Sequence, residues 1–214
     1  MKLGVLLSGR GSNLGAIVDA IHAKELDAEV AVVVSNVPGA GGLERARAAG
    51  IPAVTVDHKA FANRTEFERE VVRVLRSHGV EAVVLAGFMR IVTAELLGAF
   101  PHRVVNVHPA LLPSFPGVDG QAQALAYGVR VAGCTVHFVD TGTDTGPILA
   151  QGVVPVEPSD DHDTLAARIL AMEHALLPRA LQWIARGLVR VEVPSGGGRP
   201  KVHVDGVRTV LGLA

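Results

Sequence analysis

LGVLLSGRGSNLGAIVDAIHAK, residues 3–24, carries three local signals in one stretch. LGVLL (3–7) is an apolar run of strand length. SGRGSN (8–13) is polar and contains Gly9 and Gly11. SNLGAIVDAIHAK (12–24) has helical spacing, with Ser12 and Asn13 as candidate N-caps. Strand, glycine turn and helix in that order open a βα unit.

The same alternation continues outward from this stretch. EVAVVVS (29–35), PAVTV (52–56), EAVVLAG (81–87) and RVVNV (103–107) read as strands. GLERARAAG (42–50), RTEFEREVVRVLRSHG (64–79) and TAELLGAF (93–100) read as the helices between them. The strands are Val-rich and apolar on both faces, as a parallel sheet covered by helices requires. The expected fold is α/β: a single domain with a doubly wound, mostly parallel, Rossmann-like sheet and helices on both faces. Beyond residue 130 the texture changes. VAGCTVHFV (131–139) and PILAQGVVPV (147–156) are expected to continue the sheet in the antiparallel sense. DTLAARILAMEHALLPRALQWIAR (163–186) is a long amphipathic helix that Pro178 is expected to bend or break. PSGGGRP (194–200) is a turn between two strand-like pieces, VRVEV and KVHV. The expected organisation is one domain over 1–190 and a tail over 191–214 packed on it.

Composition narrows the function classes. Of 214 residues 49% are hydrophobic, enough for a sizeable core, and 19% are charged. The net charge of −1 and a sequence pI near 6.8 give no basic footprint for nucleic acid. The single cysteine, Cys134, forms no disulfide framework and fits a reducing compartment. The apolar run at the N-terminus is too short for a signal peptide or a membrane span. A cytoplasmic protein is expected, with no membrane or nucleic-acid partner.

In open α/β sheets, ligands bind beyond the carboxyl ends of the strands. SGRGSN, SNVPGAGG (35–42), GFMRIV (87–92) and NVHP (106–109) all fall there. In SGRGSN the glycines allow a tight turn, and the backbone N–H groups of the next helix face one point, which suits a phosphate. A dinucleotide fingerprint needs a third glycine where Leu14 stands, and a carboxylate where the second strand ends in Ser35-Asn36. A tight turn that binds nothing is the remaining alternative.

Asn106 and His108 are two residues apart on a strand and so share a face. Asp144 lies in DTGTDTGP (140–147), where Gly142 and Gly146 let the loop fold back. A carboxylate beside an imidazole orients it and favours its charged form, and an asparagine amide can donate to a developing oxyanion. Ser8, Ser35 and Cys134 have no evident base, so covalent acyl-enzyme chemistry is disfavoured. The pattern fits direct transfer of a carbonyl group between two bound substrates. A satisfied structural histidine, or a metal held by His108, His137 and Asp144, are the competing readings. No H-x-x-x-H or H-E-x-x-H spacing supports a metal.

SGRGSN, SNVPGAGGLERARAAGIP (35–52), VVLAGFMRIV (83–92), NVHPALLPSFPG (106–117), GCTVHFVDTGTDTGPI (133–148) and MEHALLP (172–178) resemble, in this order and spacing, the phosphoribosylglycinamide formyltransferases of purine synthesis. The resemblance runs from about residue 2 to residue 190. It implies transfer of a formyl group from 10-formyltetrahydrofolate, as co-substrate, to the amine of glycinamide ribonucleotide, without a metal. It implies that Asn106 contacts the formyl oxygen, that His108 is the general acid, and that Asp144 pairs with it and organises the water that relays the proton. By the same resemblance Gly11, Ser12 and Asn13 hold the substrate phosphate and Glu173 the ribose hydroxyls. Phe88, Met89, Arg90, Ile91 and Val92 surround the pterin, Asp140 closes its other side with the 139–144 loop, and Arg64 reaches the glutamate tail.

Three features depart from the family pattern: Ala110 in place of a common Ser, Leu170 at an often polar position, and VDGQAQAL (118–125) without the usual histidines. Methionyl-tRNA formyltransferase shares HP-x-LLP but needs a tRNA-binding domain. Formyltetrahydrofolate hydrolase usually carries an extra N-terminal regulatory domain. A non-enzymatic sugar-phosphate binder would need only SGRGSN. The sequence leaves the oligomeric state open, a homodimer included.

Overall fold

The computed structural model describes residues 1–196 and 198–212, which fall into two compact units, 1–106 and 107–214. In the first, β1 (Lys2–Leu7), β2 (Glu29–Ser35), β3 (Ala53–Thr55), β4 (Ala82–Leu85) and the start of β5 (Val104–His108) alternate with α1 (Ser12–His22), α2 (Gly41–Ala48), α3 (Arg64–Ser77) and α4 (Ala94–Ala99). The strands pair in parallel in the order β3-β2-β1-β4-β5. Leu3, Val5, Leu6 and Leu7 of β1 are wholly buried, as are Val83 and Val84 of β4. A strand buried on both faces needs apolar residues at every position, which is why these runs do not alternate. Each such side chain contributes roughly 1.5–3 kcal/mol. The helices carry the complementary pattern. Phe67, Val71, Val74 and Leu75 of α3 face inward, and Asn63 caps its first turn by accepting from Glu66 N–H at 3.0 Å.

In the second unit, α5 (Gly120–Tyr127) precedes β6 (Val131–Phe138) and β7 (Ile148–Pro155), which pair antiparallel as expected. α6 (His162–Ala185) follows, opened by a capping box between Asp161 and Thr164. β8 (Val189–Glu192) and β9 (Lys201–Val204) form a separate antiparallel pair, and β10 (Val210–Leu211) adds in parallel to the edge of β7. The main sheet is therefore eight-stranded and mostly parallel, flanked by helices.

Two local expectations are corrected. Pro178 does not break α6, which runs 24 residues through it. A proline inside a helix costs about 3 kcal/mol, but Leu176, Leu177, Ala180 and Leu181 beside it are wholly buried, and their packing outweighs that cost. Ser12 and Asn13 do not cap α1: Gly11 takes the cap position and both residues lie in the first turn. α5 forms over Gly120–Tyr127, a stretch to which the sequence assigned no element. Its segment lacks an apolar stripe, burying only Gly120 and Ala124, and it is closed by Asp119 at one end and left-handed Gly128 at the other.

Candidate active site

The exit of β1 is built for a close backbone crossing. Gly11 has φ 73°. A Cβ there would lie 2.7 Å from Cα of Gly42, whose N–H donates to the Gly9 carbonyl at 3.0 Å. Only glycine fits such a conformation and such an approach. No side chain caps α1, so the positive end of the helix and its first-turn N–H groups, at Ser12 and Asn13, suit an anion. Asn13 is buried.

The exit of β4 is a second surface of the same unit. Met89 and Ile91 are 76% and 52% exposed, while Val92 is buried. Arg90 turns its guanidinium over the Phe67 ring, 5.7 Å from the centroid, and Phe88 is half-buried. Arg64 stands exposed in the first turn of α3. Ser8 and Ser35 are committed to hydrogen bonds as donors, Ser8 Oγ to Asn36 Oδ1 at 2.6 Å and Ser35 Oγ to the Val37 carbonyl at 3.0 Å.

The end of β5 carries Asn106 and, two residues on, His108, so the two side chains leave one face of the strand. His108 Nδ1 lies 3.4 Å from Asp144 Oδ2, and its Nε2 donates to the Phe115 carbonyl at 2.9 Å. The imidazole is only 4% exposed. Its cover is a turn rather than the core: Pro113, Ser114 and Pro116 are themselves exposed. Asp144 sits at φ 54°, a left-handed conformation that turns its carboxylate inward, where Oδ2 accepts the Gly117 N–H at 2.8 Å. Its Oδ1 faces His137 Nε2 at 3.7 Å, and His137 Nδ1 donates to the Phe138 carbonyl at 2.9 Å. Burial raises the carboxyl pKa, but the His137 imidazole, the Gly117 N–H and the His108 charge together hold it below the ordinary aspartate value.

The loop bearing Asp144 is fixed from within. Asp140 Oδ1 accepts from Gly142 N–H at 3.0 Å and Thr145 Oγ1 at 2.6 Å. A Cβ on Gly146 would collide with the Phe138 carbonyl at 1.8 Å, so the return of the loop onto β6 requires glycine there. Glu173 is 6% exposed on α6; burial, with the Glu173 charge added, pushes the Cys134 thiol up to about 12. Cys134 is thus a neutral thiol at physiological pH and no nucleophile. Among the described residues no cluster of three His, Cys, Asp or Glu side chains is disposed to hold a metal ion, and no helix is long and apolar enough to cross a membrane.

A profile described as "Formyl transferase" matches residues 1–181. The chain belongs to the formyl transferase family. Phosphoribosylglycinamide formyltransferase of Bacillus subtilis is 42% identical over 181 residues, which cover 85% of this chain and 93% of that protein. The crystal structure of glycinamide ribonucleotide transformylase 1 from Symbiobacterium toebii superposes with a TM-score of 0.91 at 46% identity, over 95% of this chain and 93% of that one. A trifunctional purine biosynthetic protein of Drosophila melanogaster is 46% identical over 198 residues. That match covers 91% of this chain but only 15% of the relative's length.

Three features of this site had no part in the formyl-transfer reading of the sequence, His137 having been weighed only as a metal ligand. His137 is the second imidazole on Asp144. Thr135, two residues before it on β6, donates its buried hydroxyl to the Ala110 carbonyl at 2.7 Å and accepts from Leu112 N–H at 3.0 Å, fixing the chain just past His108. The signal was present: Thr135 and His137 are the polar, same-face pair of an otherwise apolar strand, as Asn106 and His108 are on β5. The third feature, the cover formed by the Phe115 carbonyl and Gly117 N–H, consists of backbone groups and leaves no mark in the sequence.

Proposed function

We propose that this chain transfers the formyl group of 10-formyltetrahydrofolate to the amine of glycinamide ribonucleotide in purine synthesis. The observation that carries the reading is the Asp144–His108 pair, 3.4 Å apart, with Asn106 one strand repeat before it, in a chain of this family. The substrate amine attacks the formyl carbon, a new C–N bond forms, and negative charge grows on the formyl oxygen. The Asn106 amide and protonated His108 stabilise that charge. The bond from the carbon to N10 of the folate then breaks, N10 takes a proton, and the attacking nitrogen gives one up. Nε2 donates to the Phe115 carbonyl and Nδ1 faces the Asp144 carboxylate, so both ring nitrogens are oriented. His108 reaches a substrate once the 115–117 turn gives up the Phe115 contact.

The remaining assignments follow the same reading. Gly11, Ser12 and Asn13 take the phosphate and Glu173 the ribose. Met89, Arg90, Ile91, Val92 and Phe88, with Arg64 and Asp140, take the folate. Cysteine and serine play no covalent part. The deciding experiment follows tetrahydrofolate release by absorbance with and without glycinamide ribonucleotide. Release that requires the ribonucleotide supports transfer; release without it makes the protein a hydrolase; no release under either condition sinks the reading.

A further inference from the structure

Glu68 is a buried carboxylate, 3% exposed, that the mechanism above does not use. It reaches from α3 to the start of α4 and accepts three hydrogen bonds: Thr93 N–H at 2.8 Å, Thr93 Oγ1 at 2.6 Å and Leu96 N–H at 3.2 Å. Burying a carboxylate is costly unless such donors satisfy it. α4 is six residues long and too short to stand on its own propensity. What precedes α4 is the segment from Phe88 to Val92, in which Met89 and Ile91 are exposed and Val92 is buried.

That segment is fixed at its other end as well. Ser8 N–H donates to the Gly87 carbonyl at 3.0 Å, and Ser8 Oγ accepts Met89 N–H at 2.9 Å while donating to Asn36. Phe67, the neighbour of Glu68, lies under the Arg90 guanidinium. Between the two anchors, among the described residues, no hydrogen bond within the chain uses the backbone N–H or C=O of Arg90, Ile91 or Val92. The segment is thus a short span of unpaired backbone with Met89 and Ile91 exposed beside it, stretched between Ser8 and Glu68.

We infer that Glu68 is a positioning residue for the folate, holding the Arg90–Val92 backbone in the geometry that a flat heterocycle with its own donors and acceptors can pair with. The inference rests on the folate reading of this segment. A carboxylate satisfies three donors at once; a carboxamide in its place cannot, because one of its two positions donates.

The test is steady-state kinetics of the full chain. Glu68→Gln raises the folate KM about tenfold or more, the loss expected for hydrogen bonds to a charged group. kcat and the ribonucleotide KM stay within about twofold, since neither the phosphate loop nor the His108 pair touches Glu68. Thr93→Val removes one of the three donors and raises the folate KM in the same direction by less. An unchanged folate KM in both variants overturns the inference. So does a parallel fall in every parameter with a lowered Tm, which marks a merely structural role. If Glu68→Gln does not fold, Thr93→Val decides alone. Equilibrium dialysis of tetrahydrofolate keeps the two ideas apart: a wild-type chain that binds it without transferring formyl loses the formyl-transfer reading, and the variants still report on Glu68.

Discussion

Asp144 serves His108 and the turn that covers it at the same time: one oxygen, Oδ2, lies 3.4 Å from the imidazole Nδ1 and accepts the Gly117 N–H at 2.8 Å. A carboxylate in that place fixes the orientation of the ring and sets a negative charge beside it. Asp144→Asn keeps the size and loses the charge. We expect kcat to fall about a hundredfold or more, with both KM values little changed. Asn106→Ala should cost about 3–4 kcal/mol of transition-state stabilisation, as loss of an oxyanion donor does. His108→Ala should lower kcat by roughly 10²–10⁴. Near-wild-type turnover in any of the three would remove that residue from its role.

His137 is expected to act on Asp144 rather than on substrate. Its Nε2 faces Oδ1 at 3.7 Å, and its Nδ1 is committed to the Phe138 carbonyl. Removing the imidazole takes away a group that holds the Asp144 carboxyl below its ordinary pKa. His137→Asn should therefore let Asp144 take up a proton at higher pH and move the acidic limb of the kcat profile upward. An acidic limb that stays in place would show that His137 does not act on the Asp144 charge.

The glycines of the β1 loop are not equivalent. Gly11 combines φ 73° with a Cβ position 2.7 Å from the Gly42 backbone, whereas a Cβ on Gly9 would meet nothing within 4 Å. The left-handed backbone alone costs an alanine about 1–2 kcal/mol. Gly11→Ala should lower Tm by about 2–4 °C per kcal/mol lost and raise the ribonucleotide KM. Gly9→Ala should leave Tm unchanged. Equal tolerance of both changes, measured by calorimetry, would contradict the crossing.

Cys134 should be silent to thiol reagents in the folded state. It is wholly buried and its pKa is pushed up to about 12, so roughly one molecule in ten thousand carries a thiolate at pH 8. An aromatic disulfide reagent should label it only as fast as the chain opens, and at once in denaturant. Rapid labelling of the native protein would mean that β6 is not packed as described.

The first half of the fold was legible because every strand is a short apolar run and most are closed by glycine, asparagine or proline. What was not legible depends on partners. β10 is two residues whose strand conformation comes from pairing with β7. α5 lacks an apolar stripe, and Pro178 passes through α6 because packing outweighs a local rule. In the site, the proximity of His108 and Asp144 followed from the strand end and from the glycines that return the 140–147 loop. The backbone groups of Phe115 and Gly117 have no residue signature. Glu68 lies among other charged residues in RTEFEREVVRVLRSHG, and only the fold turns it inward.

Asp160 gives the acid limit of stability a specific source. Its carboxylate accepts two hydrogen bonds from Arg168, at 2.6 and 2.9 Å, and the Glu157 N–H at 2.8 Å. The Arg168 bonds first, then the Glu157 N–H, lower its pKa from 3.8 to about 2. A carboxyl whose pKa is depressed by folding stabilises the native state fully above its unfolded value and loses that contribution as pH falls through the folded one. Asp160→Asn should therefore unfold at lower denaturant concentration than wild type at neutral pH. The gap between the two should be constant down to about pH 4 and close towards pH 2. Denaturant titrations across that range check it, and a gap that widened on acidification would show that the Asp160–Arg168 pair has been assigned the wrong sign.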